Sequence, residues 1–211
     1  MGVYSMYWYH WIALSGLVVC KIVFIARFIR LIRMGIPKDL SKQTGSITEG
    51  VVYSCTKAMM PHNKESAYLH LPTFTAGLLF HAGIFLSLAA FVWSMVVAIF
   101  GLTTPPTVAF IGCGILLITT GCGVGILFKR LFNKELRALS CADDYISNGI
   151  TTLFQFVTAG WLFCSEPFPY FIVAALFFLW LPAGKTRHLL YFFAARFHLG
   201  FFYGRRGTWP E

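Results

Sequence analysis

Two histidines, His81 and His188, are the residues of this sequence best suited to chemistry. Each stands in an apolar stretch, LLFHAGIF at residues 78–85 and LPAGKTRH at residues 181–188. A neutral imidazole is a good ligand for iron, and an ionisable side chain at membrane depth indicates a function or a polar partner. The elements that carry the two residues decide whether they can act together.

The composition indicates a membrane protein. Of the 211 residues, 57% are hydrophobic and 12% are charged, which leaves too little polar surface to coat a soluble domain. The net charge of +9 reflects orientation in the membrane rather than nucleic-acid binding, because basic and aromatic residues are not interleaved. The six cysteines show neither CxxC nor CxxCH spacing, so they indicate neither an iron–sulfur cluster nor a c-type haem.

Apolar segments predict five transmembrane helices in a single integral membrane domain. They cover residues 4–28, 74–100, 107–129, 146–164 and 168–194, each long enough for a hydrocarbon core of about 30 Å. The first segment lacks a cleavage site, so we expect it to be retained as a span. Lys and Arg concentrate in alternate connections, which predicts an all-α bundle with its N-terminus outside and its C-terminus in the cytoplasm.

This topology places the two histidines at a similar depth. His81 lies about seven residues, or about 10 Å, inside the second span. His188 lies a few residues before the fifth span leaves the membrane, and the second and fifth spans run in opposite directions. Imidazoles that face each other from two helices are the axial ligands of a haem b iron, so the pair predicts one haem in the cytoplasmic half. The alternative is that each histidine only forms hydrogen bonds with neighbouring helices.

Residues beside the histidines would suit a haem. Gly77 and Gly83 could give the porphyrin clearance, since neither carries a side chain. Lys185 lies three residues before His188, on the same face of a continuous helix, and with Arg187 it could neutralise the haem propionates.

Three further residues are weaker candidates. His70 and His198 lie eleven residues before His81 and ten after His188, so a second haem between them is geometrically allowed. Ordinary interfacial histidines are the simpler interpretation of that pair. Lys21, deep in the first span, could contact a quinone or a propionate, whereas Arg27, Arg30 and Arg33 follow it toward the headgroups.

The connecting segments have structural interpretations. Residues 47–60 alternate apolar and charged residues at helical spacing, which predicts an amphipathic helix on the cytoplasmic interface. The glycines between 112 and 125 favour close helix packing, because no strand precedes them as in a nucleotide-binding fingerprint. Ser140 and Asp143 have the spacing of a capping box ahead of the fourth span.

The two histidine motifs and the segment LLITTGCGVGILFKRLFNKELRALSCADDY resemble the gamma-subunit family of respiratory nitrate reductase, a five-helix membrane cytochrome b. The similarity is closest to the branch that works with heterodisulfide-reductase-like iron–sulfur proteins in the transmembrane redox complexes of sulfate reducers. The resemblance implies an inner-membrane anchor that passes electrons between a quinone pool, or a periplasmic multihaem cytochrome, and a cytoplasmic iron–sulfur subunit. It also implies that His81 and His188 bind the haem on the cytoplasmic side, and that other membrane subunits and lipid are neighbours.

The sequence departs from that family at two positions. Members of the nitrate reductase type carry two more histidines, at positions that are Phe91 and Tyr170 here. Neither residue can replace a haem b imidazole ligand, so we expect one haem, and the outer quinol site of the family is put in doubt. The chain would be an electron-transfer subunit of an oxidoreductase complex. A haem-free membrane scaffold for redox subunits is the main alternative, and a small transporter is a more distant one.

Overall fold

Every regular element of the described chain is helical. The computed structural model describes residues 6–35, 39–63, 67 and 69–209. In the residues that the structure describes, these α-helices follow one another: α1 (Trp8–Arg33), α2 (Ile47–Cys55), α3 (Leu71–Phe100), α4 (Pro106–Phe132), α5 (Lys134–Ala138), α6 (Ala142–Cys164), α7 (Pro167–Trp180) and α8 (His188–Arg205). Short 3-10 turns occur at Lys57–Met59, Pro61–Asn63 and Lys185–Arg187. The all-helical class predicted from the sequence is confirmed.

The helices include several that are able to cross a membrane. Within the described ranges, α1, α3 and α4 are long and apolar enough to do so, and a fourth crossing results if α7 and the helix after it are the bent halves of one span. The chain is therefore a membrane protein with three to four candidate spans. Residues 4 and 5 of the first predicted span lie outside the described residues.

The fifth predicted span is interrupted, so the prediction of one helix over residues 168–194 is wrong. After Trp180 the chain tightens, and the N–H groups of Ala183 and Gly184 both donate to the Trp180 carbonyl. Pro182 has no N–H to continue the helical ladder. A Cβ on Gly184 would also collide with the Trp180 indole and the Ser147 hydroxyl, so this turn requires a glycine.

The chain forms two compact units. The first contains the described residues up to 23 and residues 72–186, and the second contains residues 24–71 and the described residues from 187 onward. In the first unit, α6 packs against both α4 and α7. Its inward face is polar but compact, with Thr151, Gln155 and Thr158 all buried. Hydroxyls that bond to their own helix permit such close packing, as Thr158 does with the carbonyl of Phe154.

In the second unit, α2 packs on α8 through glycines. A Cβ on Gly50 would collide with the backbone at Gly200 and Gly204, and a Cβ on Gly204 would lie 2.7 Å from the carbonyl oxygen of Ser46. The Ser54 hydroxyl also donates to the Arg196 carbonyl over 2.8 Å. The sequence predicted an amphipathic helix over residues 47–60. The observed helix is shorter, and its small residues face the protein.

Replacing Gly204 with leucine is expected to release α2 from α8, because the added side chain meets backbone that cannot rotate away. Overpacking of this kind costs about 1–3 kcal/mol, so the open form should become about tenfold more populated. Limited trypsin digestion should then cleave the segment around Lys57 about tenfold faster. Gly121→Leu is the matched control, since no described atom lies within 4 Å of a Cβ at Gly121. Equal cleavage rates in the two variants would contradict this packing.

The capping box before α6 is shifted by one residue from its predicted position. The N-cap is Cys141, whose N–H donates to the Asp144 carboxylate over 3.0 Å. Asp143 instead accepts a hydrogen bond from the Ser147 hydroxyl. The shift leaves both acids near the turn that follows α7.

Candidate functional site

His81 lies in α3, and its imidazole is held by a hydrogen bond to its own helix. Its Nδ1 atom is 2.6 Å from the carbonyl oxygen of Gly77, one turn earlier, so Nδ1–H is the donor and Nε2 carries the lone pair. Metal-bound histidines commonly have one ring nitrogen fixed by a carbonyl in this way. No described atom lies within 4 Å of a Cβ placed on Gly77, so the surface beside the imidazole is open.

The backbone around His81 is held by a buried polar network. The fully buried Gln155 side chain donates from Nε2 to the Phe80 carbonyl over 3.1 Å, and the Thr119 hydroxyl donates to Gln155 Oε1 over 2.7 Å. A Cβ on Gly83 would collide with both Thr119 and Gln155. Gly83 therefore accommodates the polar side chains of α4 and α6, and the residues on either side of His81 are anchored to these helices.

Gln155 is a functional candidate that sequence reasoning missed. The signal was an amide side chain within an apolar stretch, where an unpaired polar group is costly. Its role depended on the partner across the helix interface, and a single sequence does not reveal that partner. The network makes Gln155 a residue that positions the helix of His81.

His188 follows the break in the predicted fifth helix. It is the first residue of α8 and its side chain is exposed, whereas a continuous fifth helix would have put it inside a span. His188 and Arg187 belong to the second compact unit, and His81 belongs to the first. The proximity of the two histidines thus stays a prediction from the sequence.

Lys185 is engaged by acids at the start of α6. Its ammonium lies 2.8 Å from both oxygens of Asp144, and its backbone N–H donates to Asp143 Oδ1 over 3.1 Å. Arg130 approaches Asp144 at 3.5 Å from the other side. Residues 185–187 form a 3-10 turn rather than part of a continuous helix, and the contact of Lys185 with a haem propionate stays a prediction.

The ion pair predicts a pH-dependent stability. The Lys185 ammonium and the Cys141 N–H lower the pKa of the Asp144 carboxyl from 3.8 to about 2. Because the folded pKa is lowered, the stabilisation is complete above about pH 4 and is lost as the pH falls toward 2. The unfolding temperature, followed by circular dichroism, should fall more steeply between about pH 4 and pH 2 for the wild type than for Asp144→Asn. Glu135→Gln removes the same charge from α5 and should keep the wild-type dependence of the unfolding temperature on pH. The same dependence in all three chains would refute the role of the ion pair.

Phe91 and Tyr170, which replace the two further family histidines, lie in one aromatic cluster. Their ring centroids are 6.4 Å apart, and the side chains are 2% and 0% exposed. The Tyr170 ring stacks on Trp161 and Phe154, and Phe91 packs edge-on against Phe178. Both positions are therefore occupied by buried aromatic rings of one cluster.

A cavity of about 840 Å³ lies in the first unit near the start of α1, here called the His10 cavity. Its walls include Tyr9, His10, Ser94, Trp161 and Phe171, and no described lining residue is charged. His10 is 5% exposed and accepts the Tyr7 N–H at Nδ1, which leaves Nε2–H as a donor. The volume and the mostly apolar walls suit an uncharged ring with hydrogen-bonding groups.

The weaker candidates lie on three different parts of the chain. Lys21 is exposed on α1 in the first unit. His70 precedes α3 and His198 lies on α8, both exposed and both in the second unit. Within the described residues, no three His, Cys, Asp or Glu side chains are grouped as metal ligands.

Comparison of the chain with protein-family models, curated proteins and solved structures found no match. The function is therefore argued from the chemistry of the residues themselves.

Proposed function

We propose that this chain is the haem b subunit of a respiratory-type redox complex in the inner membrane. It would pass single electrons between a quinone pool, or a periplasmic multihaem cytochrome, and a cytoplasmic iron–sulfur subunit. The proposal includes five membrane crossings, with the N-terminus outside and the C-terminus in the cytoplasm. The observation that carries it is His81, whose Nδ1–H donates to the Gly77 carbonyl, an arrangement common among metal-bound histidines.

The residues of the chain would act by holding and orienting the cofactor. His81 and His188 would supply the two axial nitrogens, and the Gln155 network would keep α3 from rotating. Arg187, exposed beside His188, would neutralise a propionate, while the open surface at Gly77 would give clearance to the ring. When bound, haem supplies a reversible one-electron iron couple whose potential depends on its ligands and surroundings.

The aromatic cluster supports a single haem. Phe91 and Tyr170 offer no imidazole, and their rings pack within one buried cluster. Opening this cluster for a second macrocycle would expose several buried aromatic rings, each worth up to about 3 kcal/mol of burial.

The His10 cavity is where we place a quinone headgroup. The His10 Nε2–H would bind a carbonyl oxygen, and Trp161 and Phe171 would contact the ring. The uncharged walls agree with a neutral ligand.

A haem-free scaffold for redox subunits is the second candidate. Two observations favour it. Thr119 and Gln155 occupy the space beside Gly83 that was expected to give clearance to the porphyrin, and Asp144 engages Lys185, which was expected to bind a propionate. In that case the basic connections would serve only to dock soluble partners.

The two candidates differ in haem content. The full chain, purified in mild detergent, is expected to contain one haem b per polypeptide by its reduced-minus-oxidised spectrum and pyridine haemochrome assay. Haem-free protein that still binds an iron–sulfur subunit would favour the scaffold. Two haems per chain, with one lost in His70→Ala, would replace the single site by the His70 and His198 alternative.

A further inference from the structure

Lys21 places a positive charge near the middle of α1, one of the candidate membrane spans. It lies 13 residues after the first residue of the helix and 12 before the last, or about 18–20 Å from either end. The side chain is exposed, and the neighbouring Val18 and Ile22 are 53% and 60% exposed. An ionisable group at such a depth is costly unless it is paired, whereas the apolar residues beside it can face lipid directly.

The first unit does not neutralise this charge. The buried face of α1 carries His10, Ala13, Gly16 and Cys20, and a Cβ on Gly16 would lie 3.0 Å from a backbone carbonyl oxygen of α7. Lys21 lies outside this buried set. Among the residues that the structure describes, no carboxylate forms an ion pair with its ammonium group and no acceptor forms a hydrogen bond with it. The partner of this cation therefore has to come from outside the described residues.

Lipid headgroups are out of reach of Lys21. Arg27, the first arginine of the basic end of α1, lies six residues or about 9 Å farther along the helix. The four-carbon stem of a lysine reaches only about 6 Å. Side chains of an α-helix also lean toward its N-terminus, so Lys21 leans away from the arginines rather than toward them. Snorkelling accounts for the arginines and leaves Lys21 unexplained.

We propose that α1 packs at Lys21 against a transmembrane helix of a different membrane protein, and that a carboxylate of that helix pairs with the ammonium group. Ionisable side chains within membrane spans pair with one another in this way. A second copy of this chain does not supply the carboxylate, because α1, α3, α4 and α7 contain no acid and the acids of α6 lie in its first turn. A neutral quinone would leave the charge unpaired. The inference does not depend on haem binding.

Photocrosslinking of the full chain in the membranes of its own cells tests the proposal. A benzophenone side chain is placed at Val18, one turn before Lys21, and mass spectrometry identifies the crosslinked peptide. We expect a membrane span of another protein that carries Asp or Glu within about one turn of the crosslinked residue. Lys21→Gln should lower the yield about tenfold, and Lys21→Arg should keep it within about twofold. Lys21→Glu combined with a lysine at the partner's acid should restore the yield that either change alone reduces.

Two matched controls separate the pair from general effects of charge and labelling. Lys134→Gln removes the same charge from α5 and should keep the wild-type yield at Val18. A benzophenone at Leu117, which is 49% exposed on α4, should give products that do not change in Lys21→Gln. Crosslinks from Val18 only to lipid, to a second copy of this chain or to a span without an acid would overturn the proposal. An unchanged yield in Lys21→Gln would overturn it as well.

Discussion

The His81→Ala variant is expected to purify with less than about a tenth of the haem b of the wild type. Losing only the group that orients a metal ligand lowers metal affinity 10–100-fold, so losing the ligand itself should cost at least as much. The side chain is exposed, and its Nδ1–H donates to a carbonyl of its own helix, so its removal should leave the fold intact. Haemochrome content per chain, measured beside the circular dichroism spectrum, separates the two effects.

His62→Ala is the control for the histidine substitution. His62 is likewise exposed but lies in a 3-10 turn ahead of α3, outside the proposed ligand pair. It should keep the wild-type haem content. If His81→Ala also keeps the wild-type haem content, the chain is a cytochrome but His81 is not a ligand of its haem.

The Gly83→Ala substitution is expected to lower the free energy of unfolding by about 2 kcal/mol. The new methyl group would collide with Thr119 and Gln155, which are bonded to each other inside the bundle. If Gln155 turns aside, it loses the Phe80 carbonyl and leaves a buried polar group unpaired. Chemical denaturation in detergent, followed by circular dichroism, measures the change.

Gly77→Ala is the matched control on the same helix. A Cβ there meets no described atom within 4 Å, and alanine favours a helix over glycine by up to about 1 kcal/mol. This variant should be as stable as the wild type or slightly more so. Equal destabilisation by the two alanines would contradict the packing described for Gly83.

The sequence predicted the helical class well because apolar length is a local property. The observed α3 and α4, at Leu71–Phe100 and Pro106–Phe132, lie within a few residues of their predicted spans. The break after Trp180 was missed, since hydropathy averages over a window and gives little weight to Pro182 and Gly184. Both residues were visible helix-breaking signals in the sequence.

The surroundings of the candidate site depended on contacts that a single sequence does not contain. Lys185 was assigned to a haem propionate from helical spacing, but Asp144, 41 residues earlier, engages it. Gly83 was assigned to porphyrin clearance, but the side chain of Gln155 approaches it from another helix. The hydrogen bond from His81 Nδ1–H to the Gly77 carbonyl spans a single helical turn. A helix at His81 therefore already implied this acceptor.

The central claim is that His81 and His188 bind one haem iron between them. Electron paramagnetic resonance of the oxidised chain tests it most directly, because low-spin signals report the axial ligands. The wild type should show a bis-histidine low-spin signal, and His81→Ala and His188→Ala should each lose it. A wild-type signal that survives unchanged in either variant would contradict the claim.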